Sequence, residues 1–157
     1  MTTELNLELG QRILDAQGFS RLIGAELTAL GDGRATLEIP VRPELNQQFG
    51  YVHGGVLAYA ADNALTYAAA TVLGSNVLTG GFTITYLRPA AGERLRAEAS
   101  IIGATRRQAV CRCEVFADGP DGPVLCAVAQ GTTRGVEREL SGNGAATPSA
   151  SDTRSAP

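Results

Sequence analysis

The sequence predicts an α+β fold in which one antiparallel sheet curls around a single long helix. The chain has 157 residues, which is enough for one well-packed domain and too few for two ordinary ones. Residues 56–73 form an Ala-rich stretch without Gly or Pro, whereas most of the remaining chain consists of short alternating segments separated by turn residues. A sheet with only one long helix to cover it buries both elements by curling around that helix.

The N-terminal part of the chain combines a short helix with a hairpin. An amphipathic helix is predicted over about 5–16, because apolar side chains recur there at helical spacing, namely Leu5, Leu9, Ile13 and Leu14. Strand-like runs follow at 24–30 and 34–41. The segment Gly31-Asp32-Gly33 between them is typical of a hairpin turn, because Gly tolerates positive φ.

The stretch 56–73 is predicted to be a helix of about five turns, apolar on nearly all sides. After it, four strands are predicted at 76–87, 94–104, 108–117 and 124–134, and the turns between them predict an antiparallel meander. In the third of these strands Cys111 and Cys113 alternate with charged residues. That period of two is the period of a strand, so we expect buried apolar thiols and not metal ligands.

The predicted domain spans residues 1–138. Residues 139–157 contain almost no large apolar side chain, as in SGNGAATPSASDTRSAP from Ser141 to the end of the sequence. Such a segment cannot bury enough apolar surface to offset the entropy lost on ordering, so we expect a disordered C-terminal tail.

Composition excludes several classes of chemistry. All 13 basic residues are Arg, so a Schiff-base Lys, a pyridoxal phosphate enzyme and a Walker-type phosphate loop are excluded. His53 is the only His, which excludes metal sites that need two imidazoles. The net charge of -3 argues against nucleic acid as a partner, and no apolar run approaches the roughly 20 residues of a membrane span. The odd count of three Cys and the absence of a basic, apolar signal segment predict a cytoplasmic protein.

The pair Gly54 and Gly55 precedes the long helix directly. The first N–H groups of a helix lack intrahelical partners and carry the positive end of the dipole, so a Gly backbone there is suited to stabilise a developing oxyanion. A Gly pair at such a junction is also ordinary turn chemistry, and His53 before it is equally able simply to hydrogen-bond the backbone. Both interpretations stay open on the sequence alone.

Asp62 lies within the helix among Ala and Leu residues. An unpaired carboxylate buried there would be costly, so one interpretation is a general base or nucleophile in a sheltered cleft. The other is a polar stripe that faces solvent or a subunit interface together with Tyr59, Asn63 and Thr66.

Eight residues separate Gly54 from Asp62, which is about 12 Å at 1.5 Å per helical residue. That distance is too long for both groups to contact one reacting carbonyl. A two-fold dimer with antiparallel helices would bring Asp62 of the partner subunit to Gly54 and create two equivalent composite sites. We therefore expect an obligate homo-oligomer with a dimer as the minimal unit. A tetramer is a further expectation that this geometry does not decide.

Three motifs follow one another in the sequence. Gly50-x-x-His53-Gly54-Gly55 is followed by Asp62, seven residues after Gly55, and then by Thr83-Ile84-Thr85-Tyr86-Leu87-Arg88-Pro89-Ala90. Together they resemble the hotdog-fold acyl-CoA thioesterases, in particular the phenylacetate-degradation and 4-hydroxybenzoyl-CoA types. The resemblance covers about residues 21–134. It implies a hotdog fold, a curled sheet wrapped around one central helix, and hydrolysis of an acyl-CoA to the free acid and CoA.

The resemblance also implies roles for single residues. The Gly54 amide would polarise the thioester carbonyl, and Asp62 of the partner subunit would act as nucleophile or general base. His53 would anchor the loop and orient its neighbours. Gln47, six residues before the His, would supply a side-chain amide to the carbonyl or the water, at a position where many members carry Asn.

Thr79 matches a Ser or Thr that positions the water or the carboxylate in this family, and Thr66 is a weaker candidate one helical turn after Asp62. Plain β-propensity is the alternative explanation of Thr79. Further substrate-binding candidates are Asn46, Gly55, Gly80 and Gly81. For the CoA phosphates the available cations are Arg88, Arg106, Arg107 and Arg134, although solvated surface Arg remains the alternative for each.

The acyl group is expected to be aryl or medium-chain, since Tyr51, Leu57, Tyr59 and Phe82 are available to line an apolar pocket. No metal or organic cofactor is expected, because CoA is part of the substrate. Two alternatives to a thioesterase remain. A non-catalytic acyl-CoA-binding hotdog module would need no placed base, and a hotdog dehydratase of 3-hydroxyacyl thioesters would need a paired His and carboxylate.

Overall fold

The computed structural model describes residues 4–137, and the predicted tail lies outside them. The chain begins with two short helices, α1 (Leu7–Ala16) and α2 (Gly18–Ile23). Asn6 caps α1, because its side-chain oxygen accepts the Leu9 N–H at 2.9 Å. The helix predicted over 5–16 therefore starts at Leu7, and α2 lies in a segment for which the sequence predicted no element.

The hairpin consists of β1 (Glu26–Gly31) and β2 (Arg34–Pro40), paired antiparallel. Its turn residues Asp32 and Gly33 have φ of 50° and 73°. Two successive residues with positive φ match the right-handed twist of the flanking strands, which is the geometry expected from the Gly-Asp-Gly segment. A 3-10 turn (Pro43–Leu45) and an irregular loop then lead to the central helix.

Helix α3 (Gly54–Leu73) has 20 residues and so extends about 30 Å. It starts two residues before the predicted position because His53 caps it. Ten of its residues are buried, and six of these are Ala. Small side chains let strands approach the helix closely from several directions, as expected for a helix that a sheet surrounds.

Four further strands complete one six-stranded antiparallel sheet, namely β3 (Val77–Tyr86), β4 (Arg94–Ala104), β5 (Gln108–Gly119) and β6 (Gly122–Gly135). The strand order is β1-β2-β4-β5-β6-β3. The predicted meander holds for β4, β5 and β6 and is wrong for β3, which pairs with β6 while β4 pairs with β2. A turn in the sequence indicates that the chain reverses direction, but it does not indicate which strands become neighbours in the sheet.

Every second residue of the inner strands faces α3. Leu37, Ile39, Leu95 and Val115 are each 0% exposed and belong to one core with the buried face of α3. Cys111, Cys113 and Cys126 are free and buried in the same core, which confirms their interpretation as apolar groups. The architecture is the hotdog fold that the sequence predicts.

The strand order leaves β1 and β3 at the two edges of the sheet. The edge strand β3 carries one partner, β6, and its other backbone side is unpaired within residues 4–137. None of the helices in this part of the chain has both the length and the apolar character needed to cross a bilayer.

Candidate active site

The loop before α3 is held by backbone hydrogen bonds that present the first turn of the helix. The His53 N–H donates to the Leu45 carbonyl at 2.8 Å, and the Gln47 N–H donates to the Tyr51 carbonyl at 2.8 Å. Gly50 has a φ of 85°, a left-handed conformation that favours Gly. The loop therefore folds back on itself before the chain enters α3.

Gly54 and Gly55 differ in what their N–H groups bind. The Gly55 N–H donates to Nδ1 of His53 at 2.9 Å, so the His side chain caps the helix. Among residues 4–137 the Gly54 N–H has no acceptor. One N–H thus stays available at the positive end of a helix of about 30 Å.

Tyr86 packs against this donor from strand β3. Its hydroxyl donates to the Gly54 carbonyl at 2.8 Å. A Cβ added at Gly54 would lie 3.2 Å from the Tyr86 ring carbon Cζ and from its hydroxyl oxygen. A side chain at this position would therefore displace the Tyr86 ring by a few tenths of an ångström. The sequence placed Tyr86 within a family motif but assigned it no role, because only the strand order brings it to the helix.

An open cleft of about 470 Å³ surrounds the Gly54 end of α3. Its lining includes Gln47, Phe49, Tyr51, Tyr86 and Arg88. Phe49 is 76% exposed and Tyr86 is 51% exposed, so apolar surface is open at the mouth of the cleft. Leu57 and Tyr51 line this cleft as expected, whereas Tyr59 and Phe82 are not among its lining residues.

The two side-chain amides of the loop are in different environments. Gln47 lines the cleft, and its Oε1 accepts the Phe49 N–H, which leaves its NH2 group without an acceptor among the described residues. Oδ1 of Asn46 is buried and has no hydrogen-bond partner in that part of the chain. Of the two, only Gln47 has a donor that lines the same cleft as Gly54.

Asp62 is bound by a chain of two hydroxyl groups. Oγ1 of Thr79 donates to Oδ1 of Asp62 at 2.6 Å, and the hydroxyls of Thr66 and Thr79 lie 2.8 Å apart. Because the one proton of Thr79 goes to the carboxylate, Thr66 must donate to Thr79. All three side chains are half-buried. The other carboxylate oxygen, Oδ2, has no partner among the described residues.

A bulge in the edge strand places Thr79 on the inner face. The pairing of β3 with β6 shifts register between Thr79 and Gly81, so Gly80 is the extra residue. Gly80 and Gly81 are exposed and line a depression with Arg134, away from Asp62. Nothing in the described structure brings these two glycines to Gly54 or Asp62.

The polar side chains near Asp62 also contact the N-terminal helices. The Tyr59 hydroxyl donates to Oγ of Ser20 at 2.7 Å, and the Ser20 hydroxyl donates to Oε1 of Gln17 at 2.7 Å. Burial raises the pKa of Tyr59, and the charge of Asp62 contributes in the same direction. The Tyr59 end of the polar stripe that was the alternative for Asp62 therefore packs against α2.

The Arg candidates lie at two ends of the molecule. Arg88 lines the Gly54 cleft, and its Nη1 donates to the Leu125 carbonyl at 3.0 Å. Arg106 and Arg107 line a separate depression next to Leu73, at the C-terminal end of α3. Within residues 4–137 no group of three His, Cys, Asp or Glu side chains is arranged to hold a metal ion.

Gly54 and Asp62 lie on the same helix, about 12 Å apart along its axis. Residues 49–124 match the sequence profile of the thioesterase superfamily. A Halobacterium salinarum protein named as an esterase is 32% identical over 134 residues, covering 79% of this chain and 88% of that protein. The chain belongs to the thioesterase superfamily. The protein is therefore a thioester hydrolase.

Two other similarities agree with this family. A 1,4-dihydroxy-2-naphthoyl-CoA hydrolase of Listeria monocytogenes is 31% identical over 67 residues, covering 43% of this thioesterase and 54% of that protein. The structure of a mutant of the phenylacetic acid degradation protein PaaI from Thermus thermophilus superimposes with a TM-score of 0.67 at 28% identity. That match covers 76% of this chain and all 100% of the other.

Proposed function

We propose that this thioesterase hydrolyses an aryl- or medium-chain acyl-CoA at a site formed by two subunits. The observation that carries the proposal is the free Gly54 N–H at the start of α3, on the same helix as a carboxylate that is bound through only one oxygen. Two similar proteins support this substrate class: the Listeria protein is named as a 1,4-dihydroxy-2-naphthoyl-CoA hydrolase, and the Thermus protein is named as a phenylacetic acid degradation protein.

In the proposed mechanism the thioester carbonyl accepts the Gly54 N–H. Negative charge grows on the carbonyl oxygen as the tetrahedral intermediate forms, so the helix dipole and the N–H stabilise the transition state more than the ground state. His53 stays a helix cap, because its Nδ1 already accepts the Gly55 N–H. The NH2 group of Gln47 is the candidate second donor in the cleft.

Asp62 supplies the second half of the chemistry through its free oxygen. Thr79 holds Oδ1 and leaves Oδ2 to attack the carbonyl carbon or to take a proton from water. If Oδ2 attacks, an acyl–Asp62 anhydride forms as the C–S bond breaks, and water then cleaves the anhydride and restores the carboxylate. If Oδ2 takes a proton from water, the hydroxide attacks the carbonyl carbon, the C–S bond breaks and that proton passes to the sulfur. In both routes one water is consumed, CoA leaves as the thiol and the acyl group leaves as the acid. This chemistry uses no metal and no organic cofactor.

The 12 Å between Gly54 and Asp62 requires a second subunit, since about 1.5 Å per residue separates them along one helix. In a two-fold dimer with antiparallel α3 helices, Asp62 of the partner subunit would face Gly54. The unpaired edge of β3 and the exposed apolar residues at the cleft support such an interface. We propose a dimer as the functional unit and a tetramer as the assembly.

Arg88 is the proposed contact for the CoA phosphates nearest to Gly54, because it lines the same cleft. Arg106 and Arg107 are proposed as further phosphate contacts, in the depression beside Leu73 that is separate from the Gly54 cleft. Three free Cys support a reducing compartment, so we also propose a cytoplasmic location.

The test is the release of free thiol from a panel of aryl and aliphatic acyl-CoAs by the native protein and by Asp62→Asn. We expect turnover of at least one thioester and a loss of at least about 100-fold in Asp62→Asn, with an unchanged melting temperature. Asp121→Asn, in the exposed turn between β5 and β6, is the matched control and should keep full turnover.

Undiminished turnover in Asp62→Asn would reject Asp62 as base or nucleophile. Tight binding of acyl-CoA without thiol release from any member of the panel would favour the non-catalytic binding module. Hydration of an enoyl-CoA would favour the dehydratase, although the only His of the chain caps a helix.

A further inference from the structure

A small cavity lies between the N-terminal helix α1 and the central helix α3, outside the Gly54 cleft. Its volume is about 80 Å³. Ile13 of α1 forms one wall, Val77 of β3 another, and Asn63, Thr66 and Ala70 of α3 form a third. The exposed surface of the walls is mainly apolar, and the polar side chains at its margins are Gln17, Asn63, Thr66 and Ser75.

This cavity adjoins the hydrogen-bonded group around Asp62. Asn63 is the next residue after Asp62, and Thr66, which lines the cavity, has its hydroxyl 2.8 Å from that of Thr79. Asp62, Thr66 and Ala70 are spaced four residues apart and so form one row along α3. The row starts at the carboxylate and ends at Ala70, which is 4% exposed.

The wall formed by α1 is held in place by tight contacts. The Tyr67 hydroxyl donates to the Gly10 carbonyl at 3.2 Å. A Cβ added at Gly10 would lie 2.7 Å from a methyl group of Leu30 and 2.8 Å from one of Leu27, so α1 packs closely on β1. The cavity is therefore a gap that close packing on either side leaves open.

Distance and volume together limit what fits. Ala70 lies about 12 Å from Asp62 along the helix axis, which is the reach of an extended chain of about ten carbons at about 1.3 Å per bond. The cavity itself is about half the volume of the 150 Å³ cavity that holds a benzene ring, so it takes about three carbons and no ring.

We infer that this cavity binds the end of the acyl chain and that it selects straight acyl groups of about eight to ten carbons over aryl groups. The inference rests on the proposed function and narrows its substrate class. The first carbons lie beside Asp62 and Thr66, and the last three fill the space between Ile13 and Ala70. A shorter chain leaves the cavity empty, and an aromatic ring is too wide for it.

Two substitutions change the cavity in opposite directions. Ala70→Val adds two methyl groups at the Ala70 end, and Ile13→Ala removes three carbons from its wall. Neither residue lines the Gly54 cleft or takes part in the hydrogen bond of Asp62. Val72→Ala is the matched control, because Val72 is on the same helix, 55% exposed and outside the cavity.

The experiment measures kcat and KM of thiol release with butanoyl-, hexanoyl-, octanoyl-, benzoyl- and phenylacetyl-CoA. In the native protein kcat/KM for octanoyl-CoA should exceed that for butanoyl- and phenylacetyl-CoA by about tenfold or more. Ala70→Val should lower the octanoyl value at least fivefold, mainly through KM, and leave the butanoyl value within twofold. Ile13→Ala should raise kcat/KM for phenylacetyl-CoA. Val72→Ala should leave kcat/KM for every substrate unchanged.

The outcomes separate this inference from the proposed function. Thiol release with the same order of substrates in the native protein, Ala70→Val and Ile13→Ala overturns the acyl cavity and leaves the thioesterase proposal standing. A preference of the native protein for benzoyl- or phenylacetyl-CoA likewise overturns the acyl cavity and leaves the thioesterase proposal standing. Absence of thiol release from the whole panel overturns both. If Ala70→Val does not fold, kcat/KM for phenylacetyl-CoA is compared between Ile13→Ala and Val72→Ala. A rise in Ile13→Ala alone supports the cavity, and equal values overturn it.

Discussion

Oγ1 of Thr79, on the edge strand β3, donates a 2.6 Å hydrogen bond to Oδ1 of Asp62, on the central helix. The two residues are 17 positions apart in the sequence and meet because a bulge turns Thr79 toward the helix. The bond orients the carboxylate and leaves its second oxygen free. Thr79 is thus a positioning residue for the proposed base or nucleophile.

Removing the Thr79 hydroxyl should reduce turnover without unfolding the protein. Thr79→Val keeps the shape of the side chain but removes a hydrogen bond to a charged group, which contributes about 1.5–3 kcal/mol and corresponds to about 10- to 100-fold in kcat. Thr79→Ser retains the hydroxyl and should stay within about threefold of native, on the same scale. Equal kcat values for Thr79→Val and the native protein in a steady-state thiol-release assay would contradict this role.

A methyl group at Gly54 should impair the site through Tyr86. The Cβ of Gly54→Ala would lie 3.2 Å from the Tyr86 ring and hydroxyl, so the ring must shift where the thioester approaches. We expect a fall in kcat/KM of about tenfold or more, since a small misplacement of reacting groups has effects of this order. Gly103→Ala is the control, because an added Cβ there meets nothing within 4 Å. Equal losses in both variants would show that the effect is not local.

Mixed dimers should test whether the site is shared. Asp62→Asn and Gly54→Val chains, each inactive alone, are co-expressed with different tags and the heterodimer is purified. A shared site leaves one of the two sites with an intact Gly54 and an intact Asp62, so the heterodimer should have about half of the native activity. If each subunit holds a complete site, every site in the heterodimer carries a defect and the activity stays at the level of the single variants.

Alkaline pH should destabilise the fold through the buried thiols. Burial raises the pKa of Cys111 to about 11 and that of Cys113 to about 12, from an ordinary value of 9.0. Above pH 9 the unfolded chain loses these protons and the folded protein keeps them. The free energy of unfolding is therefore unaffected below pH 9 and then falls by about 1.4 kcal/mol per pH unit and thiol, up to the folded pKa.

Urea unfolding at pH 8.0 and 10.5 measures this loss in the native protein and in Cys113→Ala. The variant is expected to lose about 2 kcal/mol less than the native protein between the two pH values. Tyr59 and Tyr67, whose pKa values burial also raises, add a loss of the same sign to both proteins and cancel in the comparison. The same loss in both proteins would mean that the Cys113 thiol does not resist ionisation.

Much of the fold follows from local patterns in the sequence. The Ala-rich stretch without Gly or Pro is α3, the alternating segments are strands, and Gly31-Asp32-Gly33 is a turn with positive φ. The position of Gly54 at a helix N-terminus is predictable for the same reason. Helical spacing and the period of two depend on residues a few positions apart, so the amino-acid order itself carries this information.

Tertiary structure decided which distant residues meet. Tyr86 reaches Gly54, and Thr79 reaches Asp62, because β3 lies at the edge of the sheet beside β6 and not next to β4. Ile13 and Ala70 share a cavity only because α1 folds back onto α3. Local periodicity specifies helices, strands and turns, whereas strand order depends on how the whole core packs around the helix. The sequence by itself therefore determined the helices, strands and turns and the position of the Gly54 N–H at the start of α3. The packing of the core determined which distant residues contact Gly54 and Asp62.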